Sequence, residues 1–360
     1  MKKNGKKAEE EQVITTVTEQ IEDTIDSPVT KREPLFEVVP SGSDVFDCVL
    51  AGGYPFGRIV NLVGDKSAGK TLLSSEAVAK ARKKYGDKLK WYYDDAEVGY
   101  AFNSMTLYGF EIFHENQDSG SYTLEEFEAS LDAQLDALEE DEYLIYVLDS
   151  LDSLTTEEEI ALYAKRKKAL AEGKDAPGSY NMDKQKKLSS FFRMMRKKIG
   201  QKKCLLIITS QVRANIGVMF GAKYVRMGGK ALDHYASQII WLAEAEKNMK
   251  KGRAVGVTTK AKTTKNKMGL PFRECFVNIL FDYGVDNIST NLDFLYDLKT
   301  DAGKSKGNER LNWDGTMYTP KALISHIEKN NLEEELTKRV KDKWNSIEDE
   351  ISQIKGRKKK

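Results

Sequence analysis

Apolar residues along this chain fall into two alternating kinds of run. Short, largely apolar runs of strand length occur at 59–63, 90–93, 111–114, 143–148 and 205–209, with further candidates at 239–242, 256–263 and 276–281. Between them, Leu124, Phe127, Leu131, Leu135 and Leu138 repeat at helical spacing. Strands alternating with helices predict an α/β fold with a mainly parallel sheet. A strand covered on both faces has no polar side, so it reads as continuous apolar sequence. Ahead of this region Val13, Val17, Ile21 and Ile25 recur every fourth position before Pro28. That spacing predicts a short amphipathic helix, rich in β-branched residues and ordered by packing on another subunit. After residue 300 the sequence turns to Gly, Lys, Ser and Asn, then to a compact end with Trp313, Leu323 and Ile327. A long helix is expected from Leu332, with Leu336, Val340, Trp344, Ile347, Ile351 and Ile354 on its stripe, followed by the basic tail KGRKKK. The expected domains are therefore 1–34, a helix and linker; 35–300, the core; and 301–360, a small C-terminal domain.

Composition narrows the class. With 360 residues, 40% hydrophobic and 31% charged, the chain can build one full-sized core and a small accessory domain. No apolar run reaches bilayer length and the lysine-rich start has no apolar segment behind it, so a cytoplasmic protein without a membrane partner is expected. Cys48, Cys204 and Cys275 are odd in number, far apart and without metal-like spacing, which predicts reduced, structural thiols. The net charge of +1 hides a segregation: 184–232 and 247–273 contain no Asp or Glu. Such segments suit a polyanion-binding surface, or in 184–203 the solvated face of a lysine-rich helix.

The chemistry enters with Gly64, Asp65, Lys66, Ser67, Ala68, Gly69, Lys70 and Thr71, a GxxxxGK[ST] pattern between a predicted strand and a predicted helix. Glycines let such a loop wrap until its N–H groups face phosphate oxygens, and the following helix adds its positive end. Lys70 would then reach the β- and γ-phosphates of ATP, and the Thr71 hydroxyl would bind Mg²⁺. Asp149, at the end of the run YLIYVL, stands where a carboxylate would hold the metal's water shell, a helix N-cap being the alternative. Glu97 follows KWYYDDA and is a candidate to polarise water, with Asp94 and Asp95 as competitors.

The stretch 211–229, QVRANIGVMFGAKYVRMGG, is apolar and basic at once. Ile216, Val218, Met219 and Phe220 gain nothing on a surface unless a partner covers them. Bases of single-stranded nucleic acid offer flat apolar faces, while Arg213, Lys223 and Arg226 can answer phosphates. A buried hairpin or a protein contact is the other reading. Gln211 opens the stretch at the end of LLIITS; an amide there can bond a γ-phosphate and lose that bond on hydrolysis, or be an ordinary polar strand end.

Taken together, GRIVNLVGDKSAGKT, the DAE at 95–97, VLDS at 147–150, SQVRANIGVMFG, GGKALDHYAS at 228–237 and KNK at 265–267 occur in the order seen in bacterial RecA recombinases and their phage relatives. The chain resembles that family over residues 35–300. The resemblance implies a RecA-type P-loop ATPase core with an N-terminal polymerisation helix and a small C-terminal α/β domain. It implies that Glu97 activates water, that Gln211 senses the γ-phosphate, and that Lys265 and Lys267 reach the nucleotide of the next protomer. It assigns DNA-binding loops near 171–182 and 212–229, with Ile216 as a wedge between base triplets and Met219 and Phe220 in the same apolar loop. Arg193, Arg196 and Arg213 fit DNA-backbone contacts, and the amides of Gly228 and Gly229 fit a phosphate site. The implied function is ATP-dependent filament formation on single-stranded DNA, homologous pairing with double-stranded DNA, and strand exchange with DNA-stimulated hydrolysis. A ring-forming motor of the same core and a nucleotide-switched DNA-binding mediator are the competing readings. The sequence departs from the family at VGYAFNSM, leaving adenine contact to Tyr100 or Phe102, at Asp233 and His234, and in its basic tail.

Overall fold

A computed structural model describes residues 37–114, 120–173, 183–214, 224–226, 229–307 and 309–352. The predicted helix around 13–25, most of the 171–182 loop, Ile216, Val218, Met219, Phe220, Lys223, Gly228 and the basic tail lie outside the described residues. The chain divides into two units, 36–344 and the two ends 1–35 and 345–360, and of the second only 345–352 are described.

Described elements follow in the order β1 (Val38–Val39), α1 (Asp44–Leu50), β2 (Tyr54–Pro55), β3 (Arg58–Gly64), α2 (Lys70–Tyr85), β4 (Leu89–Asp95), α3 (Ser104–Tyr108) and α4 (Leu124–Ala137). Next come β5 (Tyr143–Asp149), α5 (Glu157–Ala171), α6 (Asp183–Gln201), β6 (Cys204–Ala214), β7 (Tyr224–Arg226) and α7 (Gly229–Tyr235). The chain continues with β8 (Gln238–Lys250), β9 (Arg253–Asn266), β10 (Glu274–Leu280), β11 (Gly284–Val285) and α8 (Asn287–Leu295). It ends with β12 (Leu311–Trp313), β13 (Thr316–Tyr318), α9 (Pro320–Asn330) and α10 (Glu333–Ile351).

The main sheet has the order β11-β10-β9-β8-β3-β6-β5-β4, with β7 also paired to β6. Strands β8, β3, β6, β5 and β4 are parallel; β9, β10 and β11 extend the sheet antiparallel. The α/β expectation holds, and the apolar runs have the anticipated cause. In β5, Ile145 and Val147 join Val60, Leu62, Leu205 and Ile207 in a core with α1 and α2. Leu144, Tyr146 and Leu148 turn the other way, to a core with α4 and α6. Each such side chain withdrawn from water stabilises the fold by about 1.5–3 kcal/mol. The α4 stripe is buried as its spacing requires, and the helix starts at a reciprocal cap between Thr123 and Glu126. A third cluster, Leu292, Leu298, Leu311, Trp313, Leu323, Ile327 and Leu336, belongs to the C-terminal elements.

Three sequence expectations need correction. Residues 111–114 form bends, not a strand. Their backbone groups are taken by side chains: Trp91 Nε1 donates to the Ile112 carbonyl at 2.9 Å, and the Ile112 N–H donates to Ser104 Oγ at 3.2 Å. The sheet therefore stops at β4, with Ile112 buried against it. Second, β6 does not end at Gln211. Its parallel pairing to β3 ends there, opposite Gly64, and the strand runs on to Ala214 by pairing antiparallel with β7. Third, the acid-free stretch from Lys184 is not free of acids in space. Lys187 pairs with Glu125 at 2.7 Å and Glu158 at 3.1 Å, and Lys198 with Asp132 at 2.5 Å and Asp136 at 2.6 Å. Lys184 and Lys202 donate to backbone carbonyls of Leu151 and Leu138. An acidic α4 alongside α6 supplies most of this neutralisation, leaving Arg193, Arg196 and Lys197 on the exposed side.

Candidate nucleotide and nucleic-acid site

The phosphate loop leaves the middle of the sheet. At Gly64 the chain passes so close to β8 that a Cβ would lie 2.6 Å from the Leu242 carbonyl oxygen. Gly69 has φ +87°, and a Cβ there would meet Ile279 Cδ1 at 2.7 Å. Space requires glycine at Gly64, where the obstacle is backbone, and conformation favours it at Gly69, where φ is positive and the obstacle is the movable end of Ile279. Thr259 Oγ1 donates to the Ala68 carbonyl at 3.3 Å, tying the loop to β9. Asp65, Lys66 and Ser67 form its exposed crest, with the Lys66 N–H on Asp65 Oδ1 at 2.8 Å.

Lys70 and Thr71 begin α2 directly behind the loop. The Lys70 ammonium is buried and donates to the carbonyls of Gly64 at 3.0 Å and Asp65 at 2.9 Å. Burial draws its pKa below the ordinary lysine value, and nearby Asp149, Glu97, Asp65 and Asp152 oppose that shift. Thr71 Oγ1 donates to Asp149 Oδ2 at 2.7 Å. Asp149 therefore sits beside the loop as the strand-end reading required, not as the cap of a helix. It also accepts from Thr209 Oγ1 at 2.6 Å and Tyr93 Oη at 2.9 Å. Neither partner was named from the sequence. Thr209 carried a usable signal, a hydroxyl inside the apolar run of a buried strand, whereas Tyr93 in KWYYDD reads as core aromatic.

Glu97 lies just past β4, and its competitors are occupied elsewhere. Asp94 is buried and accepts from the Ser121 N–H, Ser121 Oγ and Tyr146 Oη at 2.6–2.7 Å. Asp95 accepts from the N–H groups of Gly99 and Tyr100, closing the turn. Glu97 Oε1 instead accepts from Ser150 Oγ at 2.5 Å and from Gln211 Nε2 at 2.6 Å. The Gln211 N–H is fixed by Asp152 Oδ2 at 2.5 Å. The ends of β3, β4, β5 and β6 thus bring Lys70, Thr71, Glu97, Asp149 and Gln211, far apart in sequence, into one polar site. That is the end of a parallel sheet at which ligands bind.

Other predicted residues are placed differently. Arg226, expected to answer a phosphate, has its guanidinium on Asn61 and, at 2.6 Å, on Asp233, and is 7% exposed. It links β7 to β3 through Asn61. Lys265 Nζ donates to the carbonyls of Asp233 and His234 at the end of α7, at 2.5 and 3.0 Å. Lys267 is exposed, and Asn266 between the two lysines is buried, donating to the Val49 carbonyl at 3.3 Å. Tyr100 and Phe102, put forward for adenine, are half-buried and packed edge-on against each other, with Tyr93 and Phe113 completing the group. Lys260 and Lys262 pair with Glu274 at 2.7 and 3.1 Å. Gly229 is the first residue of α7, and Arg213 lies in β6 opposite Val225.

Comparison with known proteins gives one consistent result. Residues 19–286 match the family described as RecA N-terminal domain. Protein RecA of Treponema denticola is 33% identical over 263 residues, covering 71% of this chain and 58% of that protein. Protein RecA of Streptococcus gordonii is 30% identical over 337 residues, covering 89% of this chain and 80% of the relative. For Streptococcus sanguinis the figures are 30% over 345 residues, 91% and 82%.

Proposed function

The chain belongs to the RecA family, a family of ATP-dependent homologous-recombination and strand-exchange proteins, and from that premise we propose that it assembles on single-stranded DNA with ATP, pairs the strand with homologous duplex and hydrolyses ATP to let go. The observation that carries this reading is Gln211. Its side chain is bonded to Glu97 in the polar site, and its strand continues unbroken through Arg213 and Ala214 toward the apolar, basic stretch. A change in what the amide bonds is therefore a change at the root of the DNA-gripping segment.

The residues suit ATP with Mg²⁺. Thr71 and Asp149 would hold the cation through hard oxygen donors. Among the described residues no group of three or more acidic, His or Cys side chains forms a metal cage. A cation bound beside phosphates can take most of its ligands from them and from water. Bound there, it would neutralise charge on the β- and γ-oxygens. The chain's own part is to cradle phosphates with the loop amides of 65–71, to offer them the Lys70 ammonium, and to accept a water proton at Glu97. Lys265 and Lys267 are proposed to serve the nucleotide of a neighbouring protomer, Lys265 by leaving the α7 carbonyls that now hold it. Residues 1–34 are proposed as the oligomerisation segment and 301–360 as a small duplex-binding module. No described helix is long and apolar enough to cross a membrane.

The decisive experiment is strand exchange between a circular single strand and a homologous linear duplex, with joint molecules expected only when ATP is present. Closed hexamers that unwind forks and yield no joint molecules would reject the proposal. For the DNA surface, Arg193→Ala and Arg196→Ala are each expected to weaken single-stranded DNA binding uniformly across sequences. Each should lower the salt slope by about one. Binding titrations between 50 and 200 mM salt would show this, and an unchanged slope would remove both residues from the interface.

A further inference from the structure

Asp149 is 4% exposed and collects three hydroxyl groups: Thr209 on Oδ1, and Thr71 and Tyr93 on Oδ2. An ionised carboxylate can only accept, so all three hydroxyl hydrogens point at it. Two consequences follow from that count. Donors on both oxygens stop the carboxylate turning about its Cβ–Cγ bond. With the Thr71 hydrogen directed at Oδ2, the oxygen lone pairs that could bind a cation face away from Asp149.

Tyr93 supports this arrangement from the interior. It is fully buried, with its ring in edge contact with Tyr100 and Phe113 at 5.2 and 5.7 Å between centroids. Ring packing alone would be served equally well by phenylalanine. A hydroxyl taken out of water is costly unless it is bonded. Here the phenol is bonded to the one carboxylate that also holds Thr71, with Ser74 Oγ 3.4 Å away. We propose that Tyr93 is a positioning residue for the divalent cation: by holding Asp149 it aims the Thr71 oxygen at the metal position. This rests on reading the loop as an ATP·Mg²⁺ site.

The test is binding of a fluorescent ADP analogue to the full chain, titrated with Mg²⁺ and repeated in EDTA. Tyr93→Phe is expected to raise the Mg²⁺ concentration for half-maximal tightening about tenfold, as outer partners of metal sites do, while affinity in EDTA stays at the wild-type value. Thr209→Val removes the donor on the other carboxylate oxygen without changing side-chain shape. It is expected to shift the same midpoint in the same direction, which keeps the test available should Tyr93→Phe not fold. An unshifted midpoint in a folded variant overturns the proposal, as does an equal loss of affinity with and without Mg²⁺, which marks a purely structural hydroxyl. A wild-type protein whose nucleotide binding ignores Mg²⁺ overturns the ATP·Mg²⁺ reading itself and the proposal with it.

Discussion

Lys70→Ala is expected to lower DNA-stimulated ATP hydrolysis by at least about a hundredfold and to abolish ATP-dependent filaments, the scale of loss when one preorganised donor to a developing charge is removed. The ammonium is buried at the base of the phosphate loop and is held there by two backbone carbonyls. The two carbonyls take two of its three hydrogens and none of its charge, and the four nearby carboxylates are not ion-paired to it at contact distance. A triphosphate would supply what is missing. Because a buried cation held by neutral groups contributes little to stability, the variant should melt within about 3 °C of the wild type. The same burial gives a pH signature. Only the charged form attracts phosphate, and the Lys70 pKa lies below the ordinary lysine value of about 10.4. Nucleotide affinity should be full at neutral pH and fall on the alkaline side before a free lysine would titrate. Wild-type phosphate release and normal filaments by the alanine variant, seen by electron microscopy, would remove Lys70 from the site.

What the sequence made legible follows the physics of each element. Strands with apolar residues on both faces read plainly even where a bonded polar side chain such as Asn61 or Thr209 sits among them, and β3, β4, β5 and β6 lie where the apolar runs predicted. The 111–114 run misled because Ile112 and Phe113 are apolar for packing against an edge strand, and side chains can satisfy a backbone that a run of letters would give to a sheet. Charge misled for a related reason. An acid-free window says nothing about α4, distant in sequence, whose Glu125, Asp132 and Asp136 neutralise Lys187 and Lys198. In the polar site, the residues whose spacing reflects the chemistry, Lys70, Thr71 and Asp149, came out directly. Spacing and the family resemblance favour Glu97 over Asp94 and Asp95; the structure adds that Ser121 and Tyr146 claim Asp94 and the turn amides claim Asp95.

Glu97→Gln should separate binding from turnover more sharply than any other single change in this site. Glu97 Oε1 already accepts from Ser150 Oγ and Gln211 Nε2, and glutamine retains an oxygen able to keep both bonds. The loop should therefore close on ATP as before, since Lys70, Thr71 and Asp149 are untouched. What glutamine cannot do is take a proton from water. General-base catalysis contributes roughly 10²–10⁴-fold, so turnover should fall by that factor. Nucleotide affinity and the Gln211 bond are preserved, so DNA-bound filaments should form normally and persist, because release depends on hydrolysis. The two effects are read from one preparation: steady-state phosphate release falls, while fluorescence of labelled single-stranded DNA shows a complex that outlives the wild-type one after ATP is chased. Turnover within about threefold of wild type, far less than general-base loss allows, would place the base elsewhere. Lost DNA binding would mean instead that the Glu97 charge is needed to hold Gln211, and so to shape the strand that leads into the loop.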